Sequence, residues 1–185
     1  MTMQSRQGEV FPVGRFSYFL DDSDPPLPVP VLYAATTQNA ALWESLLRNR
    51  ETESTAPLPP SSYTGKALSC IDASRTARVS SLAGADMQKL GLVQDELIAC
   101  ESDQYVETIP WARAAWKAGF DGIKYVSRRD NSGLAYVFFQ RPDLPALFTA
   151  TASENETWEF DDIAVGGGFD WLALRLQRWG IGLTR

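Results

Sequence analysis

Residues 111–130, WARAAWKAGFDGIKYVSRRD, carry two consecutive secondary-structure patterns. Apolar residues recur at helical spacing up to Gly119, which predicts a helix over residues 105–118 that the glycine terminates. Apolar and polar side chains then alternate, which predicts a strand over residues 122–127. A polar turn separates this strand from a second one over residues 134–139. The stretch therefore predicts a helix followed by a β-hairpin.

The flanking sequence adds short helices and strands in no strictly alternating order. Upstream it predicts a strand at 29–35, a helix at 38–48 capped by Thr36 or Thr37, strands at 67–72 and 77–82, and a helix at 84–90. Downstream it predicts a strand at 146–149 and a C-terminal amphipathic helix along which lie Trp171, Leu172, Leu174, Leu176 and Trp179. This order is typical of the α+β class, with mixed small sheets flanked by helices. The length suits a single domain over residues 1–185.

Three segments are predicted to be irregular. They are a polar, proline-rich loop at 51–66, a solvated acidic loop at 154–162 and a flexible glycine joint at 166–168. The glycine triplet lacks the GxGxxG spacing of a dinucleotide site. The acidic residues lack the spacing of a calcium-binding loop, so we expect no metal.

The composition excludes several classes of function. The chain contains no histidine, so it cannot build a Ser-His-Asp triad, a Cys-His dyad or a histidine-ligated zinc site. A net charge of −6 disfavours direct binding to nucleic acid, which needs a basic face. Without an apolar run of membrane-spanning length or a secretory signal, the protein is expected to be cytoplasmic. Cys70 and Cys100 are expected to be small buried side chains in a reducing compartment.

Four polar side chains have ordinary structural explanations when each is considered alone. Glu44 fits the solvated face of a helix, and Arg15 fits a surface position. Tyr33 fits core packing at the end of a strand, and Ser127 fits a turn. Helical or strand pattern alone therefore assigns none of them to a functional site.

The motifs that contain these residues occur in a characteristic order. They are Gly14-Arg15-Phe16, VLYAA at 31–35, ALWE at 41–44 and, after a helix with tryptophan, FDGIKYVSR at 120–128. In this order and spacing the sequence resembles the RES domain over about residues 10–150. The RES domain is the toxin half of bacterial RES–Xre toxin–antitoxin pairs.

The resemblance implies a fold like that of the ADP-ribosyltransferases and NAD as the substrate. Such a toxin would cleave the nicotinamide–ribose bond by hydrolysis or phosphorolysis and so deplete NAD. It would use no metal, and an Xre-family antitoxin would block its active site. An acidic chain would suit docking to a basic partner of this kind.

The resemblance assigns catalytic roles to Glu44, Arg15 and Ser127. Glu44 would place negative charge beside the cation that develops on the ribose, a task that needs no histidine. Arg15 would bind the pyrophosphate through its guanidinium, and Tyr33 would pack on the nicotinamide ring. Ser127 would hydrogen-bond the ribose or the carboxamide, and Arg128 would contact a phosphate or the antitoxin.

Two other functions stay open at this level. The acceptor could be a protein, which would make the chain a mono-ADP-ribosyltransferase. The chain could also be an inactive RES-like module that only binds a partner, because family members usually carry a further arginine upstream and only Arg6 precedes the first motif here. Lys124 and Tyr125 are predicted to be structural. Residues 151–185 form a C-terminal extension outside the resemblance, and their helix is predicted to pack on the core.

Overall fold

The computed structural model describes residues 3–6, 9–12, 15–16, 19–48, 50–51, 54, 56–91, 107–127, 129–130, 133–148 and 157–184. The strands are β1 (Met3–Arg6), β2 (Glu9–Pro12), β3 (Val31–Ala35), β4 (Ala67–Ser69), β5 (Val79–Leu82), β6 (Gly122–Val126), β7 (Leu134–Phe139) and β8 (Thr157–Glu159). The helices are α1 (Gln38–Glu44), α2 (Pro60–Tyr63), α3 (Ala85–Lys89), α4 (Ile109–Lys117) and α5 (Gly168–Gln177). They belong to two compact units, the first from the described parts of Met1–Ser45 and Thr76–Ala146, the second from those of Leu46–Arg75 and Leu147–Arg185.

A four-stranded sheet in the order β3-β7-β6-β5 forms the centre of the first unit. β7 is antiparallel to both β3 and β6, whereas β5 is parallel to β6. β1 and β2 form a separate antiparallel pair. The pairing of β6 with β7 confirms the predicted β-hairpin, and these two strands are the central pair of the four-stranded sheet.

One face of this sheet carries the hydrophobic core of the first unit. Ile123, Tyr125, Val137 and Phe139 alternate along β6 and β7 and are each at most 4% exposed. Val137 lies opposite both Ile123 and Tyr33 in the register, so β3 contributes to the same face. Burying an aliphatic side chain of this size stabilises the fold by about 1.5–3 kcal/mol. The core thereby fixes which side chains of β3 and β6 point to this face.

Helix α1 is shorter than the helix predicted over residues 38–48. It begins where the Thr37 side chain accepts a hydrogen bond from the backbone N–H of Ala40 at 3.0 Å, so one of the two predicted caps is confirmed. It ends at Glu44. The hydroxyl of the next residue, Ser45, donates to the carbonyl of Ala41 at 2.6 Å, a local bond that competes with continuation of the helix.

Helix α4 begins at Ile109 rather than at residue 105. Residues 105 and 106 lie outside the described part of the chain. Pro110 fits the first turn, because the amide hydrogen that proline lacks has no partner there in any helix. The helix ends before Gly119, whose φ of 81° is the left-handed conformation that closes many helices.

The prediction that the whole segment 51–66 is a loop is wrong, because α2 lies within it. A proline opens this short helix, and Tyr63 at its end is buried. The Tyr63 ring packs edge-on against Phe169 at a centroid distance of 5.8 Å, and its hydroxyl donates to the carbonyl of Thr184 at 2.6 Å. Contacts distant in sequence therefore order a segment whose local composition predicts a loop.

The acidic segment 154–162 also differs from the predicted solvated loop. Its described part contains β8, which pairs antiparallel with β4. Trp158 of β8 stacks on Trp171 of α5 at a centroid distance of 4.7 Å. This aromatic contact and the strand pairing outweigh the acidic composition. The predicted strand at 146–149 is reduced to a single bridge at Phe148, and residue 149 lies outside the described residues.

The glycine joint predicted at 166–168 is closely packed rather than loose. Gly167 precedes α5 and Gly168 is its first residue. A Cβ on Gly168 would collide with the backbone of Glu159, and a Cβ on Gly167 would collide with Asp162. These glycines are therefore required by space, because any larger residue would push α5 away from β8.

The apolar stripe of α5 is narrower than predicted. Leu172 and Leu176 are fully buried, whereas Leu174 is 66% exposed and Trp179 lies beyond the end of the helix. Residues 172 and 176 are four apart and share one helix face, but residue 174 points away from it. The helix is amphipathic, as predicted, with a buried face that excludes Leu174.

The expectation that Cys70 is buried is wrong: the residue is exposed and holds a free thiol. It follows β4 at the end of a two-stranded sheet, which offers little surface to cover it. Cys100 lies outside the described residues.

The α+β class with mixed small sheets is confirmed by the parallel and antiparallel pairs and the flanking helices. The single domain over residues 1–185 stays a prediction. In the part of the chain that the structure describes, no helix is both long and apolar enough to cross a bilayer.

Candidate active site

The beginning of α1 lies directly against the turn end of the β6–β7 hairpin. A Cβ on Gly133 would stand 2.6 Å from Cβ of Ala40 and 3.2 Å from Oγ1 of Thr37, so a side chain there would displace the helix. The backbone N–H of Thr36 donates to the carbonyl of Leu134 at 2.9 Å, and the Thr36 hydroxyl accepts from the Leu134 N–H at 3.1 Å. These contacts fix α1 beside β6 and β7.

Glu44, the last residue of α1, is held by two hydroxyl groups from the β6 segment. Ser127 Oγ donates to Glu44 Oε1 at 2.7 Å, and the Tyr125 hydroxyl donates to Glu44 Oε2 at 3.3 Å. Residues 125 and 127 are two apart, so their side chains point to the same face of the strand. Both are 1% exposed, whereas Glu44 is half-buried. The carboxylate thus lies at the edge of a buried polar cluster.

The Tyr125 ring joins this carboxylate to the segment that contains Arg15 and Phe16. The Phe16 ring packs against it at a centroid distance of 5.2 Å, and Cζ of Arg15 lies 5.5 Å from its centroid. A guanidinium at this distance from an aromatic ring makes a cation–π contact. The backbone N–H of Phe16 also donates to the hydroxyl of Tyr33 at 3.2 Å, which connects the segment to β3.

The pKa of Tyr125 is raised well above its usual value of about 10, chiefly because burial disfavours the phenolate. The negative charge of Glu44 raises this pKa further, whereas the positive charge of Arg15 acts in the opposite direction. The Tyr125 hydroxyl therefore keeps its proton near neutral pH and is available as a donor to Glu44.

The structure brings four of the five predicted site residues into the first unit. Arg15 is buried at 6% exposure, contrary to the surface position that its sequence context alone suggests. Tyr33 is 38% exposed and so offers part of its ring to solvent, instead of packing fully in the core. Ser127 is both a turn residue and a partner of Glu44, because its Oγ also accepts from a backbone N–H in the turn. Arg128 lies outside the described residues.

Tyr125 contacts a predicted site residue, although it is not among the site residues predicted from the sequence. It was predicted to be structural, yet its hydroxyl contacts Glu44. The available signal was the alternation in GIKYVS, which places Tyr125 on the same strand face as Ser127, whereas Lys124 lies on the opposite face. Arg6 is the last residue of β1, and its side chain lies outside what the structure describes.

The arrangement combines a carboxylate, a buried guanidinium and a half-open aromatic ring. The carboxylate can stabilise a positive charge, the guanidinium can bind an anion, and the ring of Tyr33 can pack on a flat heterocycle. Among the residues that the structure describes, no three Cys, Asp or Glu side chains come together as a metal-binding group.

A sequence model of the RES domain matches residues 3–161, well over half of the chain. The chain belongs to the RES domain family. The match confirms the resemblance carried by the motifs and extends it beyond residues 10–150 at both ends. Every predicted site residue, from Arg15 to Arg128, lies within the match. No curated protein and no solved structure matches the chain.

Arg15, Glu44 and Ser127, three of the predicted site residues, lie within the matched range. Ser127 donates a hydrogen bond to Glu44 directly. Arg15 lies over the ring of Tyr125, whose hydroxyl contacts Glu44. The family motifs, which are far apart in sequence, therefore converge around one carboxylate.

Proposed function

We propose that this RES-family protein is a toxin that cleaves the nicotinamide–ribose bond of NAD. The observation that carries the proposal is the Glu44 carboxylate, held by the hydroxyls of Ser127 and Tyr125 at 2.7 and 3.3 Å. A fixed negative charge of this kind favours a reaction whose transition state is cationic.

The proposed reaction breaks one bond and forms one. The bond between C1′ of the ribose and the nicotinamide nitrogen breaks, its electron pair goes to the nitrogen, and neutral nicotinamide leaves. Positive charge develops on the ribose as in glycoside hydrolysis, and Glu44 stabilises it. Water or phosphate then forms the new bond to C1′ and, if water attacks, a proton is released.

The other residues hold the substrate in this proposal. Arg15 binds the pyrophosphate, because a guanidinium matches phosphate oxygens with two parallel donors. Tyr33 packs its exposed ring on the nicotinamide, and Ser127 orients Glu44 and the ribose. Arg128 contacts a phosphate or the antitoxin. Holding the substrate in one geometry lowers the barrier without an acid–base histidine.

The proposal extends to the fold and to the partner. Family membership supports a fold like that of the ADP-ribosyltransferases and an Xre-family antitoxin that covers the site in the cytoplasm. The net charge of −6 suits a basic protein partner. Growth arrest on expression, relieved by co-expression of such an antitoxin, is the expected result in cells, and continued growth without the antitoxin would contradict it.

The decisive test is release of nicotinamide from NAD by the purified protein and by a Glu44→Gln variant. Glutamine keeps the size of the side chain but removes its charge, so we expect kcat to fall by about 10²–10³-fold. Glu159→Gln is the matched control, because Glu159 is an exposed glutamate on β8 of the other unit. We expect this control to turn NAD over at the wild-type rate.

The same assay distinguishes the acceptors. Free ADP-ribose indicates water, a phosphorylated product indicates phosphate, and label transferred to a protein from labelled NAD indicates mono-ADP-ribosyl transfer. Wild-type turnover by Glu44→Gln would refute the assignment of Glu44. No turnover and no NAD-induced rise in Tm for the wild type would instead favour a partner-binding module.

A further inference from the structure

The two oxygens of Glu44 are held unequally. The bond from Ser127 Oγ to Oε1 is 2.7 Å, which is the usual length of a strong hydrogen bond from a hydroxyl to a carboxylate. The bond from the Tyr125 hydroxyl to Oε2 is 3.3 Å, beyond the usual range of 2.5–3.0 Å for hydroxyl donors. Oε1 is therefore tightly held, whereas Oε2 is held weakly.

We propose that Tyr125 is a positioning residue that keeps Oε2 of Glu44 aimed at the substrate, while Ser127 anchors Oε1. This inference rests on the function proposed above, because it assigns the two oxygens to separate tasks in the same reaction. Oε2 is the oxygen assigned to the developing ribose cation, and its one long bond to Tyr125 fixes its direction while leaving most of its charge available to that cation.

The surroundings of Ser127 suit an anchor. Its Oγ accepts a hydrogen bond from the backbone N–H of Asp130 at 3.2 Å, and its own backbone N–H donates to the carbonyl of Gly133 at 3.2 Å. With one lone pair engaged by the turn, the hydroxyl hydrogen is directed to Glu44. Oε1 is thereby tied to the backbone of the hairpin.

The surroundings of Tyr125 suit a hydrogen-bond donor with a fixed position. The side chain is 1% exposed, and its ring is packed by Phe16 and Arg15 at centroid distances of 5.2 and 5.5 Å. The hydroxyl therefore offers Oε2 a donor whose position is fixed by the core. Burial and the charge of Glu44 raise the pKa of Tyr125, which keeps this hydroxyl protonated as a donor.

The first test compares the steady-state kinetics of Tyr125→Phe and Ser127→Ala. Phenylalanine keeps the packed ring and removes only the hydroxyl, so a purely structural role predicts no change. We expect Tyr125→Phe to lower kcat about 10-fold with an unchanged KM, since one hydrogen bond to a charged group is lost. Ser127→Ala should lower kcat about 100-fold, because the anchor itself is lost.

Tyr136→Phe is the matched control for the tyrosine variant. Tyr136 is half-buried on β7, and its ring stacks on Phe138 on the face opposite Val137. Its hydroxyl makes no contact with Glu44, so we expect wild-type kcat and KM. Wild-type kcat in Tyr125→Phe, or a rise in KM without a fall in kcat, would overturn the inference while leaving the proposed function intact.

The second test needs no NAD turnover. Tyr125 is titrated at alkaline pH by NMR of ring-labelled tyrosine, with Tyr125→Phe used to assign its signal. In Glu44→Gln the negative charge beside the phenol is removed, so the pKa of Tyr125 should fall relative to that in the wild type. An unchanged titration would overturn the Tyr125–Glu44 contact. If the wild type releases no nicotinamide, the proposed function fails and this titration alone decides whether Tyr125 holds Glu44.

Discussion

Two carboxylates at opposite ends of β6 are held in different ways. Asp121, directly before the strand, is 3% exposed and accepts the backbone N–H of Arg78 at 2.8 Å. Its own N–H donates to the Arg78 carbonyl at 2.7 Å, and its carbonyl accepts from the N–H of Phe139 at 2.8 Å. Glu44, at the other end, is half-buried and is held by the hydroxyls of Ser127 and Tyr125.

The comparison separates a structural carboxylate from one suited to chemistry. The backbone N–H of Arg78 is fixed directly before β5, and the main-chain bonds of Asp121 connect it to Arg78 and β7, so Asp121 acts as part of the β5–β6–β7 framework. The Glu44 carboxylate is held by side-chain hydroxyls and is half-exposed, so it stays in a defined position and is still open to a ligand. Burial alone would have favoured Asp121 as the functional residue, whereas the type of donor favours Glu44.

The largest effect is expected from displacing α1, the helix that ends at Glu44. In Gly133→Ala the new Cβ would stand 2.6 Å from Cβ of Ala40, and neither group can rotate away. We expect the free energy of unfolding to fall by ~3 kcal/mol, the upper end for an overpacked site. Because α1 must move, kcat should fall as well. Urea denaturation and the NAD assay measure the two effects.

The double variant Gly133→Ala with Ala40→Gly is the control for this change. Removing the opposing methyl group makes room for the new one, although glycine inside a helix itself costs about 1 kcal/mol. The double variant should be more stable than the sum of the two single changes predicts. Strict additivity would contradict a direct clash between these positions.

Substitution of Asp121, directly before β6, should lower the stability of the protein rather than its activity. Asp121→Ala removes the acceptor for the Arg78 N–H, so we expect the free energy of unfolding to fall by ~2 kcal/mol. The folded fraction should keep its kcat. Asp72→Ala, at an exposed aspartate, is the control and should change stability by less than about 0.5 kcal/mol. A lost kcat with normal stability in Asp121→Ala would reverse the assignment of the two carboxylates.

The smallest effect is expected in the pH dependence of stability, through the hydroxyl that Tyr125 donates to Glu44. The pKa of Tyr125 is raised in the folded protein. The contribution of the protonated Tyr125 to the free energy of unfolding is therefore constant below pH ~10, the ordinary tyrosine pKa. Above that pH the unfolded chain loses the proton first, so the free energy of unfolding falls by up to ~1.4 kcal/mol per pH unit. Tyr125→Phe lacks this loss. Denaturation curves of the two proteins should diverge between pH 9 and 11, and parallel curves would refute the raised pKa.

The sequence predicted what depends on near neighbours. The β6–β7 hairpin followed from alternation over a few residues, and the cap at Thr37 followed from the short polar side chain before a helical repeat. The ordered family motifs also singled out Arg15, Glu44 and Ser127, which no periodicity would have selected, and two of them, Glu44 and Ser127, are in contact.

Contacts between distant residues were beyond prediction from local pattern. Tyr125 looked like a core aromatic because its partner, Glu44, is 81 residues away. Arg15 looked exposed because arginine is seldom buried, yet it packs on a ring 110 residues further along the chain. Gly168 looked flexible because the backbone that leaves no space for a side chain there is that of Glu159 in β8.

The position of Glu44 as the final residue of α1 has an electrostatic consequence. The peptide dipoles of a helix leave partial negative charge at its carboxyl end, and the last turn of α1 carries no basic side chain to cancel it. The backbone therefore adds its own negative field to that of the carboxylate. In the proposed reaction, the cation formed beside Glu44 is stabilised by the helix end as well as by the side chain, and substitution of Glu44 removes only one of these two sources.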